Sequence, residues 1–170
     1  MQRVLVIGCG GAGKSTLSRK LAPALGLPLV GLDRAYWRPG WIEPSKEEWR
    51  AIVEKLVAGP AWLMDGNFSA TFDLRMPRAD TVIWLDFPRR TCLRRVLTRI
   101  IKGYGRTRAD LPDGCPEQFD AEFLRFVWNF PTRSRPNIVD GLARYGAHLR
   151  VLRLANDREV SAFLREAVAA

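Results

Sequence analysis

The chain of 170 residues is 47% hydrophobic and 26% charged, which excludes a disordered protein and fits one globular domain. Its formal net charge is +9, and 22 of its 27 basic residues are arginine. It contains no run of about 20 apolar residues, no recognisable secretory leader and only three widely spaced cysteines. We therefore expect a cytoplasmic protein with reduced thiols and without a membrane partner.

The predicted elements alternate between short apolar strands and amphipathic helices. The strands are predicted at residues 3–7, 29–32, 61–64, 81–87 and 149–154. The helices are predicted from residue 15, after a Ser45–Glu48 capping box, after Pro88, over 117–130, and after Asn156 or Asp157. This alternation predicts an α/β fold with a mostly parallel five-stranded sheet.

Each predicted helix has apolar residues at helical spacing along one face. In the helix after Pro88 the predicted buried residues are Leu93, Val96, Leu97, Ile100 and Ile101. In the helix over 117–130 they are Phe119, Phe123, Val127 and Phe130. The residues 34–44 are predicted to be irregular.

Small and acidic residues stand where the first four predicted strands end: Gly8, Asp33, Asp65 and Asp86. In parallel sheets, ligands bind beyond the carboxyl ends of the strands. These four positions therefore predict a binding site at that edge of the sheet. For Asp86 a purely structural role is the favoured interpretation.

The segment from Gly8 to Ser15 matches the phosphate-binding loop G-x-x-x-x-G-K-[ST]. Its glycines let successive N–H groups turn toward a phosphate, and the helix that follows directs its positive end to the same anion. Lys14 is predicted to reach the β- and γ-phosphates, and the Ser15 hydroxyl to bind Mg²⁺. The predicted ATP-binding residues are Gly8, Gly10, Gly11, Ala12, Gly13, Lys14, Ser15 and Thr16.

The same segment fits a second motif, the dinucleotide-binding fingerprint. Gly8, Gly10 and Gly13 have the spacing G-x-G-x-x-G, and Asp33 lies where a ribose-binding acid is expected. The triplet that starts at Lys14 decides between the two, because a dinucleotide loop has no need of a lysine followed by a hydroxyl side chain. We therefore favour the nucleoside triphosphate loop.

The chain resembles the P-loop kinases of the adenylate and shikimate kinase group, most closely the adenylate-kinase-like branch called DNA topology modulation proteins. The resemblance covers nearly the whole chain. Besides the phosphate loop, it rests on the segments 32–41, 64–68 and 128–131, which read LDRAYWRPGW, MDGNF and WNFP. It implies a three-layer P-loop sandwich over residues 1–170, with a substrate-binding segment at about 34–60 and a short lid at about 103–116.

The resemblance also implies roles for residues outside the phosphate loop. Asp65 would hold the water shell of Mg²⁺, and Asp33 would orient an acceptor or act as its base. The lid arginines Arg99, Arg106 and Arg108 would act with Lys14 in catalysis. The implied substrate-binding residues are Asp33, Arg34, Tyr36, Trp37, Arg38, Trp41, Asp65, Asn67, Arg133 and Arg135.

One departure from the adenylate kinase pattern concerns the acceptor. Adenylate kinases read D-G-[FY]-P-R after the third strand, whereas this chain has Asn67-Phe68-Ser69 after Asp65-Gly66. The acceptor-binding arginine is missing there, which argues against AMP, although Arg75 or Arg78 is a candidate to replace it.

The predicted function is transfer of the γ-phosphoryl group of ATP, with Mg²⁺, to a small acceptor such as a nucleoside monophosphate. Two alternatives stay open: a nucleotide-binding regulator that affects DNA topology, and a P-loop hydrolase. Nucleic acid is the less favoured partner because the sequence shows no recognisable DNA-binding module. The identity of the acceptor and the oligomeric state are not predicted.

Overall fold

The computed structural model describes residues 1–169, the last of them by its backbone only. A five-stranded sheet with the order β2-β3-β1-β4-β5 forms the centre, and all neighbouring strands are parallel. The strands are β1 (Arg3–Gly8), β2 (Leu29–Gly31), β3 (Trp62–Asp65), β4 (Thr81–Leu85) and β5 (Arg150–Leu154). The predicted three-layer α/β fold is confirmed.

Eight α-helices flank the sheet: α1 (Lys14–Ala24), α2 (Leu32–Tyr36), α3 (Lys46–Val57), α4 (Phe72–Arg75), α5 (Arg89–Gly103), α6 (Ala121–Arg133), α7 (Arg135–Tyr145) and α8 (Asp157–Ala169). Helix α1 packs against α8, whereas α6 packs between α5 and α7. Strands β1, β3 and β4 are almost entirely buried, and this is why they read as unbroken apolar runs. No helix of residues 1–169 has the length and apolar character needed to span a bilayer.

Several predicted local features are present. Ser45 and Glu48 form the capping box at the start of α3, with both reciprocal hydrogen bonds made. Pro88 immediately precedes α5, as predicted. Asn156 accepts the Glu159 backbone N–H, so it caps α8 rather than Asp157. Such features depend on residues within one turn, which is why the sequence predicts them.

The prediction was wrong at the start of α6. Asp120 accepts hydrogen bonds from the backbone N–H groups of Glu122 and Phe123, so the helix begins at Ala121 and not at residue 117. Phe119 therefore lies outside the helix and is 65% exposed. In α5, Leu97 and Ile101 are exposed as well, and Cys92 is buried on the stripe instead.

Three helices were not predicted. Residues 32–36, which we expected to be a strand end and an irregular segment, form α2 directly after β2. Helix α4 lies in the connection between β3 and β4. Helix α7 begins with a proline in its first turn, where the missing N–H costs no hydrogen bond. The sequence interpretation assigned no helix or strand to residues 131–148.

Candidate active site

The phosphate loop connects β1 to α1, as the motif predicts. Gly13 precedes α1 with φ +96°, and Gly11 has φ +79°. A Cβ atom on Gly11 would lie 2.4 Å from the carbonyl oxygen of Cys92, so a side chain has no room there. The Lys14 ammonium donates to the carbonyl of Cys9 at 3.0 Å, which folds the lysine back over the loop. The loop is therefore shaped by close backbone approach to α5.

Two carboxylates face this loop from neighbouring strand ends. Asp65 ends β3 and is 7% exposed, and Asp33 lies in the first turn of α2. Burial raises the pKa of both carboxyl groups, and the nearby Lys14 ammonium opposes that rise in each. The Ser15 hydroxyl also lowers the pKa of Asp65 through a hydrogen bond. The structure thus brings Lys14, Ser15, Asp33 and Asp65 together.

Two arginines, Arg99 of α5 and Arg108 of the lid, belong to the same cluster. Arg99 and Arg108 each lower the pKa of Asp33, so their charges are close to it. Both contact the buried carboxylate of Glu117, with Nε to Oε1 distances of 2.9 Å and 2.8 Å. Arg108 also pairs with Asp110 at 3.2 Å. Sequence reasoning missed Glu117, which it treated as the first residue of a helix.

The third predicted lid arginine has a different environment. Arg106 is exposed, and within residues 1–169 its side chain makes no ion pair or hydrogen bond. Its backbone N–H and C=O are both used inside the lid, by Gly103 and Glu117. Its predicted catalytic role stays a prediction.

Residues 36–41, which we call the aromatic segment, pack against the lid. Tyr36 lies about 5 Å, between ring centroids, from Trp37, Trp49 and Phe68. Trp41 contacts Trp37, and its indole N–H donates to the carbonyl of Pro116 at 3.2 Å. The aromatic segment and the lid therefore form one wall beside Asp33.

The predicted substrate-binding arginines are largely engaged with protein groups. Arg34 donates to the carbonyl of Ala109, and Arg38 pairs with Glu48 at 3.2 Å. Arg135 binds Asp86, which Arg153 also binds, and these ion pairs fit the structural role that we favoured for Asp86. Arg133 is exposed, and the described residues offer its side chain no ion pair.

Arg75 does not replace the missing acceptor arginine. It is completely buried and donates to the carbonyls of Gly66, Asn67 and Phe68 and to the Thr71 hydroxyl. Burial lowers its pKa to about 9. Arg78, the other candidate, is exposed and donates to the carbonyl of Ala58. Arg75 thus holds the loop that carries Asn67, and its donors are used within the protein.

We expect Arg75→Met to destabilise the fold by about 3 kcal/mol, since several buried carbonyls lose their donor. The variant should unfold about 10 °C below the wild type in a calorimetric melt. Arg78→Met removes an arginine with one exposed hydrogen bond and serves as the control. Equal melting temperatures for the two variants would contradict the anchoring of the loop by Arg75.

A cleft of about 310 Å³ opens beside the phosphate loop and was not predicted. It lies between Gly13 and Thr16 on one side and the start of α8 on the other. Arg95 lines it, lies 4.8 Å from the ring centroid of Phe87, and pairs with Asp157 at 2.6 Å. Arg95 was not among the predicted site residues. The cleft can take a flat ring next to the phosphate loop.

No protein-family model matches the chain. A shikimate kinase of Rhodococcus jostii (strain RHA1) is 28% identical over 137 residues, which cover 72% of this chain and 78% of that protein. Among solved structures, the shikimate kinase from Acinetobacter baumannii in complex with shikimate superposes with TM-score 0.60 at 17% identity. That match covers 98% of this chain and 90% of the other.

A gluconokinase from Sinorhizobium meliloti 1021 superposes with TM-score 0.55 and 17% identity, covering 99% of this chain and 90% of that one. These likenesses show that the chain has the fold of P-loop small-molecule kinases. They give no support to the resemblance to the DNA topology modulation branch.

Proposed function

We propose that this protein transfers the γ-phosphoryl group of ATP to a hydroxyl group of a small acceptor that carries no phosphate. The observation that supports this most is the meeting of Lys14, Asp33 and Asp65 with the lid arginines Arg99 and Arg108. Phosphoryl transfer needs a loop that holds the phosphates, a carboxylate near the metal ion, a base for the acceptor and cations for the transferred group.

The nucleotide would bind with its phosphates in the loop and its base in the cleft lined by Arg95. Lys14 would exchange its hydrogen bond with the Cys9 carbonyl for the β- and γ-phosphates, because a charged acceptor binds an ammonium more strongly. The guanidinium carbon of Arg95 lies 4.8 Å from the ring centroid of Phe87, and both side chains line the cleft in which the adenine ring would bind.

The residues at the end of β3 fit a magnesium ion. Asp65 has a buried Oδ1 without a hydrogen-bond partner in the described structure, and the Ser15 hydroxyl is its neighbour. No cluster of three or more His, Cys, Asp or Glu side chains occurs within residues 1–169. This fits an ion that takes most of its ligands from phosphate and water. When bound, Mg²⁺ would neutralise phosphate charge, with Ser15 as ligand and Asp65 holding its waters.

Asp33 would act as the base toward the acceptor. Its carboxylate would accept the proton of the acceptor hydroxyl as the new O–P bond forms and the bond from the γ-phosphorus to the bridging oxygen of ADP breaks. Arg99 and Arg108 would stabilise the charge that develops on the transferred group. Lys14 would stay on the phosphates throughout.

The arginines of residues 34–78, which include the predicted substrate-binding segment, argue against a phosphorylated acceptor. Those between residues 34 and 78 all donate to protein groups: Arg34, Arg38, Arg50, Arg75 and Arg78. A nucleoside monophosphate needs at least one cation for its phosphate. We therefore favour a neutral or weakly charged hydroxyl compound over AMP, beside the half-buried aromatic rings of Tyr36, Trp37 and Trp41.

The test is an ADP-release assay with ATP, Mg²⁺ and panels of polyols, sugar acids, nucleosides and nucleoside monophosphates. We expect stimulation by a hydroxyl compound, with a phosphorylated product seen by mass spectrometry. Stimulation by nucleoside monophosphates alone would overturn the proposed acceptor class. Release of ADP that no acceptor stimulates would indicate a hydrolase instead.

A further inference from the structure

The Glu117 carboxylate is the common partner of two lid arginines. It is 4% exposed, and the same oxygen, Oε1, lies within 3 Å of the Nε atoms of Arg99 and Arg108. Burial and the neighbouring charge of Arg108 lower the pKa of Arg99, whereas the charge of Glu117 raises it, so the two guanidinium groups repel each other and Glu117 opposes that repulsion. The Glu117 carboxylate, which both arginines contact, therefore offsets the repulsion between the two cations, and Asp110 adds a second negative charge on the side of Arg108.

The backbone of Glu117 is fixed to the lid. Its N–H donates to the carbonyl of Arg106 at 2.9 Å, and its carbonyl accepts from Gly105 at 2.8 Å. These bonds join the end of the lid to its beginning. The carboxylate consequently keeps a fixed position relative to the end of α5, which carries Arg99.

Arg99 lies near the phosphate loop. The guanidinium of Arg99 lies 5.7 Å from the ring centroid of Phe123. That ring lies against Gly10, where an added Cβ would come within 2.8 Å of it. Each arginine makes its closest approach to Glu117 through Nε, and a guanidinium has five N–H donors. Arg108 also uses Nη1 for Asp110, and N–H donors remain on both guanidinium groups for a further anion.

We propose that Glu117 is a positioning residue, which holds Arg99 and Arg108 as a pair with their remaining N–H groups aimed at the transferring phosphoryl group. This rests on the proposed function. Glu117 does not touch the substrate, and its contribution passes through the two arginines. Its loss should therefore lower kcat and leave the KM for ATP nearly unchanged, since the phosphate loop binds the nucleotide independently.

The test compares Glu117→Gln with Glu122→Gln, the same change at an exposed position in the first turn of α6. We expect kcat to fall about 30-fold in Glu117→Gln and less than about twofold in the control. A second variant, Glu117→Asp, keeps the charge but withdraws the carboxylate by one methylene. It should also lose kcat while its melting temperature stays near that of the wild type.

A double-mutant cycle separates positioning from a general structural role. In an Arg99→Ala, Arg108→Ala background, adding Glu117→Gln should change kcat less than about twofold, because its partners are gone. An equal loss in both backgrounds, or unchanged kcat in Glu117→Asp, would overturn the proposal.

The activity of the wild-type protein tests the proposed function separately. A wild-type protein without any phosphoryl transfer refutes the proposed function and the role of Glu117 together. An active wild type with equally active Glu117 variants refutes only the role of Glu117.

Discussion

Replacing Lys14 by alanine should abolish phosphoryl transfer and leave the fold intact. The ammonium is the only lysine charge in the phosphate loop, and it acts on both Asp33 and Asp65. Without it, the charge that builds up on the β- and γ-phosphates loses its fixed cation, so we expect kcat to fall at least about a thousandfold. Steady-state ADP release and circular dichroism measure the two parts of this prediction.

The control for Lys14→Ala is Lys55→Ala, which removes an exposed lysine from the last turn of α3. It should retain nearly full activity. If Lys14→Ala turned over like the wild type with an unchanged melt, the assignment of the phosphate loop to the reaction would be wrong. A collapse of the circular dichroism signal would instead assign Lys14 a structural role.

Asp33→Asn should lower kcat about a thousandfold with little change in ATP affinity, because the amide cannot accept the proton of the acceptor hydroxyl. Burial raises the pKa of Asp33, and a base works only when it is ionised. The wild-type kcat should therefore decline as the pH falls through that raised pKa. The residual activity of the variant should lack this decline, and an unchanged acid limb would show that another group titrates.

The same substitution should stabilise the protein at neutral pH. Because burial raises the pKa of Asp33, the folded protein holds the Asp33 proton more tightly than the unfolded chain does. The free energy of unfolding therefore falls as the pH rises from the ordinary pKa of an aspartate to the raised pKa of Asp33. Asp33→Asn removes this cost. Its melting temperature should exceed that of the wild type at pH 7, and the difference should shrink toward pH 4. A lower melting temperature at pH 7 would contradict the burial of an ionised carboxylate.

The phosphate loop and the acids at the strand ends could be predicted because each depends on a short stretch of chain. Gly8 to Ser15 carries its motif without reference to any other segment. Asp65 follows from the end of an apolar run, and parallel strands bring such ends to one edge. The cap of α3 at Ser45 is local in the same way.

The cleft and the lid carboxylate could not be predicted, because their residues come from distant parts of the chain. Arg95 and Asp157 are 62 positions apart. Glu117 meets Arg99 and Arg108 only once the lid has closed on itself through the bonds of Gly105 and Arg106. A single glutamate after a proline has no spacing pattern that would mark it.

By itself the sequence determined an excess of positive charge, a phosphate loop and the strand ends around it. The tertiary structure decided what each arginine does. An arginine has a long side chain and five donors, so its partner depends on which carboxylate, carbonyl or ring lies within reach after folding. Arg75 is used to anchor a loop and Arg135 to bind Asp86, whereas Arg99 and Arg108 share Glu117 and lie near Asp33. Much of the positive charge therefore has partners within the protein itself.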